Sequence, residues 1–233
     1  MKTLRNLALG CIIAASSFLP IKRAEAEITG SFSSSIKTHY IAMGYVLGKG
    51  PHKQDTLSIN NKNLNAFVWS DYDIGNKKMS EIDIGVNATK QIDNNLSLNG
   101  GYIYMHYPQG QDDRVLSLSV NQNGILEKRL DISCFLKNKE IPTGFAFEPS
   151  ISKSVNLNPS TQLSFGVSST YLDNFYRDFG ISNISLDASF SYSKGNLLFN
   201  GLIGKQFGFM ESPKMLPPCK DQLYGGVELN STF

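Results

Sequence analysis

His39, His52 and His106 are the three histidines in 233 residues, and with the serines and carboxylates near them they are where chemistry would have to start. Nucleophilic hydrolysis needs a serine and a histidine within hydrogen-bond reach. His39 has serines on its own strand, but Ser33 and Ser35 stand six and four residues before it and share a face turned away from any outer substrate. General acid–base hydrolysis at a barrel rim would instead set a histidine among carboxylates. Asp71, Asp73, Asp112 and Asp113 fall in stretches that read as outer loops, with His52 and His106 near the same level. The simpler reading of that group is hydrated side chains, or carboxylates holding the cations that bridge lipopolysaccharide. No metal-ligand spacing and no phosphate-binding glycine loop occurs, so no catalytic, metal-binding or cofactor-binding residue is assigned.

A second set of charges is more informative because it alternates with apolar residues. If the apolar side of each strand faces outward, the inside receives Lys37, His39, Asp83, Asn87, Asn99, Glu127, Arg129, Asp131, Glu148, Asp187, Glu228 and Asn230, with many serines and threonines. A lysine or arginine on a lipid face costs about 2–4 kcal/mol at mid-depth, so these groups belong inside. Acids outnumber bases there six to two, which would mildly favour cations in a wet interior. The competing reading is that Arg129, Asp131 and Glu148 pair across neighbouring strands and brace a closed structure.

The elements that position these residues are strands. In the last eleven residues, Phe233, Ser231, Leu229, Val227, Gly225 and Leu223 share one face, while Thr232, Asn230, Glu228, Gly226 and Tyr224 share the other. Such a segment has the length of a tilted transmembrane strand and ends on an aromatic residue. Similar alternation, punctuated by turn residues, predicts twelve strands between Ser31 and Phe233. Lys49–Gln54, Asp71–Lys78, Pro108–Asp113, Lys137–Pro142, Leu172–Gly180 and Glu211–Asp221 are expected as outer loops, with tight turns at the other end. The expected fold is all-β, a transmembrane antiparallel up-and-down barrel of about twelve strands. An even count puts both termini on one side. Trp69, Tyr102, Tyr104, Tyr171, Tyr192 and Phe233, with Phe67, lie near strand ends and read as interfacial girdles.

Residues 1–26 read as a secretory signal peptide: a basic start, a short apolar run and Ala24-Glu25-Ala26 before the cleavage site. Residues 27–233 then form the barrel, which places it in the bacterial outer membrane after export. The signal segment holds Lys2, Arg5, Lys22 and Arg23 against Glu25, so the 22 basic and 20 acidic residues of the whole chain become 18 and 19 and the remainder is close to neutral. Nothing in the remainder suits nucleic acid. Cys134 and Cys219 are the cysteines beyond it, enough for one disulfide.

Three stretches resemble a family of small, largely uncharacterised bacterial outer-membrane porins: Thr38-His-Tyr-Ile-Ala-Met-Gly44, Phe67-Val-Trp-Ser-Asp-Tyr72, and Glu81-Ile-Asp-Ile-Gly85 leading to Gly101-Tyr-Ile-Tyr-Met-His-Tyr-Pro108. The family usually carries an arginine where this chain has Met43, so no selectivity role transfers there. The resemblance implies a membrane barrel, with outer-membrane lipid, lipopolysaccharide and the barrel-assembly machinery, met through the C-terminal strand, as partners. The resulting expectation is passive diffusion of small hydrophilic solutes or ions. The alternatives are a structural or adhesive surface barrel acting through its outer loops, and, below that, a hydrolase at the rim.

Overall fold

A computed structural model of the chain describes residues 28–43, 45–110, 112–136, 144–175, 178–209 and 221–233. Twelve strands run in order: β1 (Ile28–Ala42), β2 (Tyr45–Asn61), β3 (Leu64–Asp73), β4 (Lys78–Gln91), β5 (Leu96–His106), β6 (Asp113–Gln122), β7 (Glu127–Leu136), β8 (Gly144–Asn158), β9 (Thr161–Phe175), β10 (Asp178–Lys194), β11 (Leu197–Gly208) and β12 (Gln222–Thr232). Each pairs with its sequence neighbours in antiparallel fashion, and β1 pairs with β12 from Ser31↔Thr232 to Lys37↔Gly226, closing the barrel. Closure removes every sheet edge, which is what allows strands to cross a bilayer with their backbone groups satisfied.

Parity within each strand separates two faces. Phe32 and Ile36 on β1, Leu57 and Ile59 on β2, Ile84 and Val86 on β4, and Val227 and Leu229 on β12 are all exposed on the outside. Exposed aliphatic side chains in such a band are what lipid requires and what water would penalise. At the seam, Gly30 N donates to the Phe233 carbonyl at 2.7 Å and Phe233 N donates to the Gly30 carbonyl at 2.9 Å. The Phe233 ring lies so close over Gly30 that a Cβ there would sit 2.4 Å from it.

The twelve strands match the sequence reading, but the outer ends do not. Lys49–Gln54 is part of β2, Asp71–Asp73 belongs to β3, and Leu172–Phe175 and Asp178–Gly180 extend β9 and β10. Two residues join β1 to β2, where Met43 takes a positive φ of 50°. Gly50 and Pro51 look like a loop in sequence, yet Gly50 absorbs a φ of 98° within the strand. Thus long hairpins take up the length expected of loops. Lys137–Pro142, Cys219 with its possible pairing to Cys134, and the signal peptide lie outside the described residues.

The β1–β2 hairpin does not stand upright on the rim. Its register slips between Lys37 and His39 and again between Tyr40 and Ile41, and such irregularities bend a strand. Its tip crosses the bore. Ser182 Oγ on β10 donates to the Met43 carbonyl at 3.1 Å, and Tyr45, 1% exposed, packs with Val115, Phe135, Ala146, Leu172 and Phe175 from β6 to β9. Tyr45 stacks on Phe175 with centroids 6.1 Å apart, and Phe135 meets Phe175 edge-on at 4.7 Å. This cluster is an apolar core inside the barrel. Each such aromatic pair adds about 0.5–1.5 kcal/mol beyond its area burial.

Candidate functional site: a divided barrel interior

Two cavities flank the hairpin and share no lining residue. The one nearer the termini has a volume of about 600 Å³ and is lined by Glu127, Arg129, Asp131, Glu148 and Asp187 with serines of β8 to β10. Within it, Arg129 Nε donates to Asp131 Oδ2 at 2.6 Å and a guanidinium nitrogen donates to Asp131 Oδ1 at 2.8 Å. Ser119 also donates to Asp131. Glu148 stands opposite Asp131 in the β7–β8 register, yet it accepts instead from Thr170 Oγ1 at 3.0 Å. Glu127 accepts from Ser152 and Ser154 at 3.3 and 3.4 Å, and Asp187 accepts from the Tyr224 hydroxyl. The expected brace therefore exists only as the Arg129–Asp131 pair along one strand.

The other sequence-chosen residues are spread around the wall. Glu228 accepts from Asn200 Nδ2 at 3.4 Å, and Lys37 lies beside Gly226 on the neighbouring strand, where a Cβ would be 3.0 Å from its Cγ. Asn87 reaches over Gly101, whose added Cβ would be 2.0 Å from Asn87 Oδ1. His39 follows the first register slip, with Nε2 3.2 Å from the Gln222 amide nitrogen. Asp83 belongs to a different group, described below.

The aromatic positions divide. Tyr102, Tyr104, Tyr171 and Tyr192 share parity with exposed apolar residues, and Phe233 is exposed. Trp69 does not belong to an outer girdle. Leu64, Val68 and Tyr72 are the exposed positions of β3, so Trp69 has the opposite parity, and its ring lies 5.9 Å from Tyr40. Phe67 likewise turns in, covering Gly85. A bore needs filling where its strands approach closely, and aromatic rings fill it.

The outer cavity measures about 730 Å³. Tyr40, His52, Asp73 and Glu81 line one side of it, and Met43, Tyr45, Met105, Phe135 and Phe175 line another. His52 and Asp71, read from sequence as hydrated loop residues, are instead buried strand residues, 1% and 0% exposed. Asp71 accepts from His52 Nδ1 at 2.8 Å and from Gln54 Nε2 at 3.0 Å. Glu81, fully buried, accepts from the Tyr40 hydroxyl. Asp73 caps the β3–β4 turn, taking hydrogen bonds from the Asn76 backbone and side chain at 2.8 and 2.6 Å. His52 Nε2 is buried without a hydrogen-bond partner, and the Glu81 and Asp83 carboxyls hydrogen-bond each other. Parity could have revealed this group, since His52 and Gln54 continue the inner positions of Ser58 and Thr56, and Asp71 continues that of Trp69.

The apolar outside, polar inside and closed twelve-stranded wall define a transmembrane β-barrel. Solved structures with this fold include the KdgM porin, with a TM-score of 0.58 at 9% identity, covering 88% of this chain and 99% of that one. An outer membrane channel from Pseudomonas putida F1 matches with a TM-score of 0.55 at 8% identity, over 91% of this chain and 97% of that one. LpxR from Salmonella typhimurium also matches, with a TM-score of 0.55 at 8% identity over 87% and 100%. The likeness is one of fold, and it agrees with the resemblance to small outer-membrane porins seen in the sequence. No family model and no curated protein matches the chain.

Proposed function

We propose that the chain is an outer-membrane channel for small hydrophilic solutes or ions, with a mild preference for cations, narrowed by its own β1–β2 hairpin. It is exported with removal of residues 1–26 and assembled through its C-terminal strand among lipid and lipopolysaccharide. The observation that carries this reading is the polar cavity of about 600 Å³ enclosed by a wall whose outside is apolar. Glu127, Glu148 and Asp187 line it against one arginine, which is itself paired with Asp131. A field of that sign concentrates cations at a constriction.

Planar-bilayer conductance of the refolded mature chain, beside a Glu148→Gln, Asp187→Gln double variant, tests it. Steady conductance with a cation preference that weakens in the variant is expected. Silence from a protein confirmed as a folded barrel would overturn the channel.

The His52–Asp71 contact is the observation that favours a hydrolase instead, because an orienting carboxylate on Nδ1 leaves Nε2 as a base. The surroundings oppose it. A Cβ added at Gly48 would lie 2.1 Å from His52 Nε2, so the backbone of β2 occupies the place where an attacking water or a serine hydroxyl would stand. The pair holds β2 to β3 beneath the hairpin.

A further inference from the structure

We propose that the outer cavity binds an organic cation, an ammonium carried on an apolar body. Four carboxylates crowd one patch of the β3–β4 wall: Asp71 stands opposite Glu81 in register, Trp69 opposite Asp83, and Asp73 two pairs further out. Glu81 and Asp73 line the cavity, and Asp71 and Asp83 are their neighbours in the wall. Their relative exposures are 0, 0, 8 and 5% for Asp71, Glu81, Asp83 and Asp73. Among the described residues no lysine or arginine forms an ion pair with any of them; His52 contacts Asp71, Lys37 lies within electrostatic reach of Asp71, and Lys78 stands opposite Asp73 in register. Buried carboxylates without an ion-pair partner are costly, and Glu81 and Asp83 hydrogen-bond each other, with no further donor reaching Glu81 Oε1 or Asp83 Oδ1. The patch still carries an excess of acidic groups, which a cation with protons to donate would offset.

The chemistry of the surroundings narrows what that is. Among the described residues no three His, Cys, Asp or Glu side chains converge as metal ligands, so a chelated ion does not fit. An ammonium does, since it needs only a few acceptors on one side. The Tyr40 ring lines the cavity, with the Trp69 ring 5.9 Å from it, and a cation near an aromatic face gains further attraction. Across the cavity, Met43, Met105, Tyr45, Phe135 and Phe175 offer a soft apolar wall for the rest of the molecule. The cavity of about 730 Å³ has the size of a small-molecule site. Lys49 and Lys78 also line it but are exposed, and Lys78 Nζ donates to Gln109 at 3.1 Å, so they lie in water at the mouth. Anionic solutes meet the opposite field and are disfavoured.

This assigns a substrate class to the proposed channel and rests on that reading for passage, though not for binding. Trp69 is the single tryptophan of the chain and packs in the patch, so its fluorescence reports occupancy in detergent micelles with no bilayer and no current. The refolded chain is titrated with 2-phenylethylamine, with the neutral isostere 2-phenylethanol, with 3-phenylpropionate and with calcium chloride. A saturable change with the amine is expected, at least about tenfold tighter than with the alcohol and absent with the carboxylate. A Glu81→Gln, Asp83→Asn variant, checked as folded by circular dichroism, should bind the amine about tenfold more weakly. Equal responses to amine and alcohol in the wild-type chain, a matching response to calcium, or no saturation would overturn the proposal, whether or not the variant folds. A silent bilayer with a positive titration would remove the channel and leave the site.

Discussion

Asp112 lies between β5 and β6, where it accepts hydrogen bonds from the Tyr104 hydroxyl and from His106 Nδ1, the latter at 2.8 Å. The Tyr104 bond first, and the His106 bond second, hold its carboxyl below the ordinary carboxylate range. A group depressed in this way stabilises the folded chain above its unfolded pKa, about 3.9, and the contribution disappears as pH falls through the lower folded value. Tyr104→Phe should therefore lower the unfolding midpoint at pH 7, and the gap to wild type should close below about pH 4. Equal gaps at both pH values in urea titrations would show that the hydroxyl acts by packing alone. At this scale the sequence was partly legible. His106 and Asp112 stand near one another in the chain, and both read as hydrated residues at the rim rather than as a pair. His52 and Asp71 read the same way, and their burial as a strand pair is missed because both sit next to residues with loop character, Pro51 and the Asp71–Lys78 charge run. Strand parity, continued two residues further, would have placed them together.

The strands themselves were legible because a period of two is hard to produce by accident over twelve segments. What failed was the assumption that the outer face is apolar from rim to rim. Asp55 and Lys53 share parity with exposed Leu57 and Ile59 and form an ion pair on the outside of β2. Ser34 Oγ donates to Asp55 at 2.6 Å, while Ile36 and Tyr72 flank Lys53 in register. Apolar residues thus stand beside and below a charged pair, which reading Lys49–Gln54 as a loop had hidden. If this face meets lipid, the pair is a burden. A Lys53→Leu, Asp55→Leu double variant should then raise unfolding stability in vesicles by about 1–3 kcal/mol, since lysine on such a face is costly in a depth-dependent way. A loss of stability in urea titrations of vesicle-inserted protein would instead mean that the patch is covered by another polypeptide.

At the scale of the molecule, a twelve-stranded barrel is intermediate between those that side chains fill and those that leave an open pore. The chain settles the matter with a hairpin. Binary patterning cannot show this, because Tyr45, Val115, Phe135, Ala146, Leu172 and Phe175 are apolar residues facing inward. The rule of polar inside and apolar outside holds for a wet bore and inverts wherever protein fills it. Closing the bore in this way replaces wet wall with an aromatic core, so in the proposed channel resistance to flow and stability draw on the same contacts. Tyr45→Ala removes the ring stacked on Phe175, and Ser182→Ala removes the hydroxyl that holds the Met43 carbonyl. Large-to-small changes at buried aromatic positions cost about 3–5 kcal/mol, and here the loss falls on a hairpin whose release does not require the wall to open. The double variant should therefore keep its barrel, with strand content by circular dichroism unchanged, while its single-channel conductance and open time rise well above wild type. An unchanged conductance in a barrel shown to be folded would mean that solutes do not pass where the hairpin lies, and that the two cavities are separate chambers.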